Sequence, residues 1–205
     1  RFARGTNIEG TGTISSANIL IQYSNTTLNS NLTFNGSIVL SSSGKLIISS
    51  NGILTLNGSI TSSSGSILEN NGTIIVNNNA FLSAGGVPST VSLISSDGNI
   101  VWNNTSSFKI PSDGSYKNVT IGASTSCGSD FSVSGDFINN ATFTSSGTGN
   151  NITFNGLSSQ TISGTGTNNF KKITLNNSNG LQLSSGTINI EEVMESTSGT
   201  ITQNG

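Results

Sequence analysis

One recurrence constrains this chain more than any other feature. Short alternating apolar pairs return at nearly constant intervals: Leu32/Phe34, then Leu54/Leu56, then Ile74/Val76. Ile38 returns as Ile60 and Leu82 at equal steps, and Leu46 returns as Leu68 at that same step. In the second half, Phe131/Val133, Ile152/Phe154 and Ile173/Leu175 are evenly spaced, and Ile162 and Leu183 share their spacing. An x-apolar-x-apolar pair places two side chains on one face of an extended strand. Turn-forming steps separate the pairs: Asn35-Gly36, Ser43-Gly44, Asn51-Gly52, Asn57-Gly58, Ser64-Gly65 and Asn71-Gly72. A period of about 20–22 positions carrying three short strands reads as one rung of a right-handed parallel β-helix. One rung cannot bury its apolar face alone. Stacked at ~4.8 Å, rungs share a dry column and pair their backbone groups with the rungs above and below. Immunoglobulin-like sandwiches have longer strands and turn about every 8–12 residues, and propeller blades repeat at about 40 or more. The expected class is all-β, a right-handed parallel β-helix (β-solenoid).

Composition fits the corners of such a coil. Of 205 residues, 39 are Ser, 25 Thr, 29 Asn and 25 Gly, and only 32% are hydrophobic. Disordered chains combine low hydrophobicity with high net charge, whereas this net charge is −2. Charged residues are 8% of the chain, against about 25% in an average domain. There is no His, so the commonest general base and metal ligand is missing. A single Cys, Cys127, allows neither a disulfide framework nor Cys-ligated zinc. No metal or cofactor is expected. Seven scattered cations make no basic footprint for nucleic acid or anionic lipid. Membrane insertion is not expected either. No apolar run approaches the ~20 residues of a spanning helix, and a barrel needs ~10-residue strands with aromatic girdles, whereas aromatics are 6% here.

The chain reads as one β-solenoid segment, 1–205. Regular rungs run over 14–85, an irregular coil or loop over 86–112, and a second run of rungs over 113–205. The irregular stretch opens at Gly85-Gly86-Val87-Pro88 and contains Trp102 and Pro111. Asn35, Asn57 and Asn77 fall at one corner of successive rungs, where their amides are expected to form a hydrogen-bonded ladder. Tyr116–Ile121 matches Phe170–Leu175, which suggests a superrepeat in the second half. The best helical candidate, Ile190–Met194, lies in a region of strand spacing and lacks a cap. The chain opens Arg1-Phe2 without a signal region and closes on Ile201-Thr202-Gln203-Asn204-Gly205 in mid-pattern. Solenoids need polar caps, so the segment is expected to continue into further repeats or domains of one longer polypeptide.

Several runs carry a family resemblance. They are Gly135-Asp136-Phe137-Ile138-Asn139-Asn140-Ala141-Thr142-Phe143, Ile152-Thr153-Phe154-Asn155-Gly156, Gln160-Thr161-Ile162-Ser163-Gly164 and Phe170-Lys171-Lys172-Ile173-Thr174-Leu175-Asn176-Asn177-Ser178, followed by Leu183-Ser184-Ser185-Gly186-Thr187-Ile188. This succession is similar to the β-helical repeats of very large secreted or cell-surface, adhesin-like proteins of Bacteroidetes (flavobacterial type). The likeness covers 113–205 and is generic over 14–85. It implies an extracellular or cell-surface location, with export by type IX secretion.

The β-helix scaffold also includes polysaccharide lyases and hydrolases, which resemble one another in clustered Asp calcium ligands and an Arg or Lys base. Here both arginines, Arg1 and Arg4, lie at the start and the carboxylates are scattered. Asp97 and Asp113 precede glycines in turns, and Asp130 and Asp136 stand on separate steps. Glu191, Glu192 and Glu195 form the one acid cluster, but consecutive strand residues face opposite sides, so they read as a solvated face. Paired-carboxylate chemistry needs a defined separation, and no pair supplies it. Cys127 without a His partner reads as a buried or turn residue. Lys117 and Lys171-Lys172 read as rim charges against edge-to-edge association. Tyr23, Tyr116 and Trp102 could stack on sugars. Tyr116 reads better as core, and Trp102 is the weak ligand-binding candidate. Thr142-Phe143-Thr144 and Thr165-Gly166-Thr167 suggest an ice-binding row, which breaks at Gly186-Thr187-Ile188.

The expected function is a non-catalytic structural or adhesive stalk segment of a large extracellular bacterial surface protein. The alternative is a carbohydrate- or surface-binding β-helix module, with glycans or other surface proteins as partners. An ice-binding face or a lyase-like enzyme ranks below both.

Overall fold

A computed structural model of the chain describes residues 6–15, 18–62, 65–77, 92–95, 97–111, 113–145 and 150–203. Its described residues contain parallel strands and no helix, and the strands stack as a β-solenoid. The chain divides into two compact units: Arg1–Asn99 with Pro111–Asp113, and Ile100–Ile110 with Gly114–Gly205.

Unit 1 visits three parallel stacks in turn. The first holds Thr6–Ile8, Asn25–Leu28, Lys45–Ile48, Ile67–Asn70 and Ser92–Ile94. The second holds Gly12–Ile14, Asn31–Phe34, Ile53–Leu56 and Thr73–Val76, and the third Ile19–Gln22, Ile38–Ser41 and Ile60–Ser62. Register follows the recurrence. Leu32 lies under Leu54 and Ile74, Phe34 under Leu56 and Val76, Ile38 under Ile60, and Leu46 under Leu68. Leu82, the expected continuation of the Ile38 column, lies outside the described residues. Alternating side chains point inward, and these columns are buried. The corners are tight. Ser42 and Ser43 take φ of 49° and 64°, and Gly44 N donates to Ser41 O at 2.9 Å. This is the positive-φ pair of a two-residue turn. A Cβ at Gly58 would stand 1.7 Å from Gly36 O, so two rungs meet there backbone to backbone.

Unit 2 pairs Asn99–Trp102, Val119–Ile121, Phe137–Asn139, Gln160–Ser163, Leu181–Leu183 and Ile201–Gln203 in one stack. Two further stacks, Thr125–Cys127 with Thr142–Ser145 and Ser115–Tyr116 with Phe131–Val133 and Asn151–Phe154, merge on the long strand Thr167–Asn176. That strand pairs in turn with Thr187–Ser198, with register shifts after Phe170 and Leu175. The column Phe131, Ile152, Ile173 and the pair Ile162/Leu183 have the expected register.

Three expectations change. The stretch 86–112 is not irregular throughout: Ser92–Ile94 and Asn99–Trp102 are strands, with Leu93 on Leu68 and Ile100 on Val119. The step from Leu68 to Leu93 is longer than the common period and the step from Val119 to Phe137 is shorter, so a fixed period misses both. Residues 78–91 lie outside the described residues. The superrepeat also fails. Tyr116 is in register with Val133, Phe154 and Leu175, while Val119–Ile121 pairs with Phe137–Asn139 on another stack. Ile190–Met194, by contrast, lies in the strand Thr187–Ser198, in keeping with its strand spacing. The threonine row has a different register, described below.

Candidate functional site

Trp102 is a core residue. Its ring is fully buried, Nε1 donates to Ser106 O at 3.2 Å, and Phe108 packs edge-on at 5.3 Å. It cannot stack on a sugar, which corrects its candidacy as a ligand-binding residue. The reason is local: after Trp102 the chain leaves the strand and turns Phe108 inward, where Phe108 also meets Tyr116, Phe131 and Phe143. Tyr116 is buried as well, with its hydroxyl donating to Lys109 O at 3.0 Å. Among the tyrosines only Tyr23 is presented to solvent, at 66% exposure. Cys127 is buried, its thiol donates to Ser129 O, and burial raises its pKa. Both Arg1 and Arg4 lie outside the described residues.

The carboxylates have roles that sequence spacing did not reveal. Asp136 Oδ1 accepts Thr161 N, Asp130 Oδ1 accepts Asn151 N, and Asp113 Oδ2 accepts Ser95 N, each at 2.8 Å. These aspartates satisfy backbone donors on a neighbouring strand-bearing segment rather than on their own. The acid cluster is paired across rungs. Lys171 Nζ reaches Glu192 at 3.1 Å and Glu191 at 3.8 Å, and Lys172 Nζ reaches Glu195 at 2.9 Å. Hydrogen bonding to Glu192, followed by the charges of both glutamates, raises the Lys171 pKa. In unit 1, Lys45 bonds Glu69, and that bond with a second from Asn71 lowers the Glu69 pKa. The available signal was opposite charge one rung apart: Lys45 with Glu69, and Lys171-Lys172 with Glu191, Glu192 and Glu195. Among the described residues no three His, Cys, Asp or Glu side chains gather as a metal-binding group.

Buried amides form a second unpredicted set. Gln160 Nε2 donates to Val133 O and Gly135 O, and its Oε1 accepts Gly156 N and Asn177 Nδ2. Asn139 donates to Thr167 O and to Asn168 Oδ1 while its own Oδ1 accepts Ala141 N. Gln160, Asn177, Asn139 and Asn168 are all buried. Such fully satisfied networks specify a corner, whereas half-satisfied ones would oppose it.

The outward face of unit 2 carries an ordered polar array. Thr142, Thr167 and Thr187 form one column, and Ser126, Thr144, Asn169 and Asn189 form the next. Thr165 therefore lies off the row, and Thr187 extends the row where the sequence reading ended it. Rungs lie ~4.8 Å apart and the columns, two residues apart, about 6.7 Å. Asn189 Nδ2 donates to Asn169 Oδ1 at 2.8 Å, and Asn169 Nδ2 to Thr144 Oγ1 at 3.4 Å. No described side chain bonds the hydroxyls of Thr142, Thr167 or Thr187, and Thr142 and Thr187 are exposed. On the last described rung, Leu183, Ile188, Ile190, Met194 and Ile201 line an open cleft of about 720 Å³.

Comparison with protein-family models, with curated proteins and with solved structures finds no match for this chain.

Proposed function

We propose that this chain is a non-catalytic structural or adhesive stalk segment of a large extracellular bacterial surface protein. The observation that carries this reading is how the units cohere. Strands one rung apart in sequence pair in parallel, and the corner amides and ion pairs also run from rung to rung. Cohesion of this kind suits a module that bears load and resists proteolysis, because opening one rung exposes backbone pairing on both neighbours. The resemblance of 113–205 to repeats of flavobacterial adhesin-like proteins favours the surface location and export by type IX secretion. Single-molecule pulling and limited proteolysis test the proposal. Stepwise rupture at high force and slow cleavage within the strands are expected. Unfolding at the low forces of an ordinary domain, with rapid cleavage inside strands such as Asn151–Phe154, would overturn it.

The Thr142/Thr167/Thr187 column favours a second reading, in which the lateral face binds glycans or another surface protein. A glycan array with wild type and Thr167→Lys separates the two. Binding lost in the variant supports lateral adhesion, and no binding by wild type removes it. Trp102→Ala would report on the core instead.

A further inference from the structure

Six Asn-Gly pairs fall within the described residues, beginning at Asn35, Asn51, Asn57, Asn71, Asn155 and Asn179. In such a pair the glycine nitrogen can attack the asparagine side chain, because glycine has no side chain to shield it. Five of these glycine N–H groups are held. Gly52 N donates to Ser49 O, Gly58 N to Phe34 O, Gly72 N to Asn70 Oδ1, Gly156 N to Gln160 Oε1 and Gly180 N to Asn177 O. Among the described residues nothing accepts the N–H of Gly36.

Asn35 differs in its side chain too. It is exposed and stands at the end of the amide ladder: Asn57 Nδ2 donates to Asn35 Oδ1 at 2.7 Å, and Asn77 Nδ2 donates to Asn57 Oδ1 at 2.8 Å. As the terminal acceptor, Asn35 has its carbonyl polarised by the ladder while no described group accepts from its own Nδ2. At this one pair a polarised carbonyl coincides with a leaving amine and a nucleophile that no described group holds.

We propose that Asn35 is a self-modification site that deamidates ahead of the other described Asn-Gly pairs. Gly36 N loses its proton to solvent base and bonds to Asn35 Cγ, and the Cγ–Nδ2 bond breaks as Nδ2 takes a proton from solvent and leaves as ammonia. Water then opens the succinimide at either carbonyl, giving aspartate or isoaspartate. The two products differ in consequence. Aspartate keeps an acceptor for Asn57, whereas isoaspartate adds a methylene to the main chain beside the Asn35 N to Ile14 O bond and uncouples the ladder from its first rung.

The test is incubation of the folded chain at mildly alkaline pH, followed by peptide mapping that quantifies aspartate and isoaspartate at each pair. Freeing the other glycine N–H groups means breaking a hydrogen bond, so Asn35 is expected to lead by about fivefold or more. In concentrated urea that lead should vanish. If Asn35 does not react first in the folded chain, or leads equally in urea, the proposal is wrong. Asn57→Ala tests the ladder's part: the Asn35 rate is expected to fall while the rate at Asn155 is unchanged. An unchanged Asn35 rate in this variant, with circular dichroism matching wild type, overturns the claim of polarisation.

Discussion

Units 1 and 2 are built by the same parallel pairing but filled differently. In unit 1 the buried columns are aliphatic, Leu28, Leu46, Leu54, Leu68 and Ile74 among them, and Phe34 is the buried aromatic among the described residues. In unit 2 Trp102, Phe108, Tyr116, Phe131, Phe137, Phe143 and Phe170 form connected ring contacts at 5.2–6.5 Å. Rung length differs in parallel. In unit 1 the described register steps up to Val76 stay nearly even, as from Leu32 to Leu54 to Ile74. In unit 2 a short step from Val119 to Phe137 is followed by a long one from Phe137 to Ile162. The comparison teaches that even rungs stack like on like, so branched aliphatics suffice. In unit 2 the uneven steps accompany the large rings, whereas the long step of unit 1 still stacks Leu93 on Leu68.

The largest effect should come from the ring network. Phe143 touches Phe108, Phe131, Phe137 and Phe170, and Phe143→Ala should destabilise unit 2 by about 3–5 kcal/mol in chemical denaturation. Leu54→Ala in unit 1 should cost less, about 2–3 kcal/mol, toward the lower end of such substitutions. Equal costs would mean that ring contacts add nothing beyond buried area, and the contrast between the cores would lose its energetic content.

Corners give the next contrast. In unit 2 Gln160 is buried with four hydrogen-bond partners, so Gln160→Met strands several buried groups and should cost about 2–4 kcal/mol. In unit 1 the ladder amide Asn57 is exposed. Water replaces its partners when Asn57→Ala is made, and the expected loss is about 0.5–1 kcal/mol. Thermal denaturation of both variants ranks them. A larger loss for Asn57→Ala would make the exposed ladder the stronger corner.

The same contrast explains what could be read from sequence. The columns Leu32/Leu54/Ile74 and Phe131/Ile152/Ile173, and the ladder Asn35/Asn57/Asn77, were legible because pairing fixes the pleat and the inward alternation of every strand. Nothing in the pairing fixes corner length. The long step from Leu68 to Leu93 therefore hid two strands inside a stretch that looked irregular. Strand chemistry is also alike on every face, which is how Tyr116–Ile121 could imitate Phe170–Leu175 from another stack. Trp102 looked like a surface aromatic only because the inward turn at Phe108 has no periodic signature. The corner aspartates Asp130 and Asp136 bond to rungs whose distance varies, so no fixed offset reveals them.

The smallest effects are electrostatic and should separate the units by pH. Glu69 has a lowered pKa through Lys45 and Asn71. A carboxylate with a depressed folded pKa adds stability above its unfolded pKa, and that stability is lost as pH falls through the folded value. Unit 1 should therefore lose a partly exposed pair's share, about 0.5 kcal/mol, on acidification, and Glu69→Gln should remove that part of the pH dependence. Lys171 has a raised pKa through Glu192 and Glu191. Its contribution is complete below the unfolded lysine pKa and is lost as pH rises through the folded one. Unit 2 should respond to this pair at alkaline pH, and Lys171→Met should flatten that limb. Both pairs are solvent-accessible, so both responses should shrink as salt approaches molar concentration. Denaturation curves recorded across pH at low and high salt decide the matter. If Lys171→Met leaves the alkaline limb as it is, or Glu69→Gln the acid limb, these ion pairs do not set the pH response of their units.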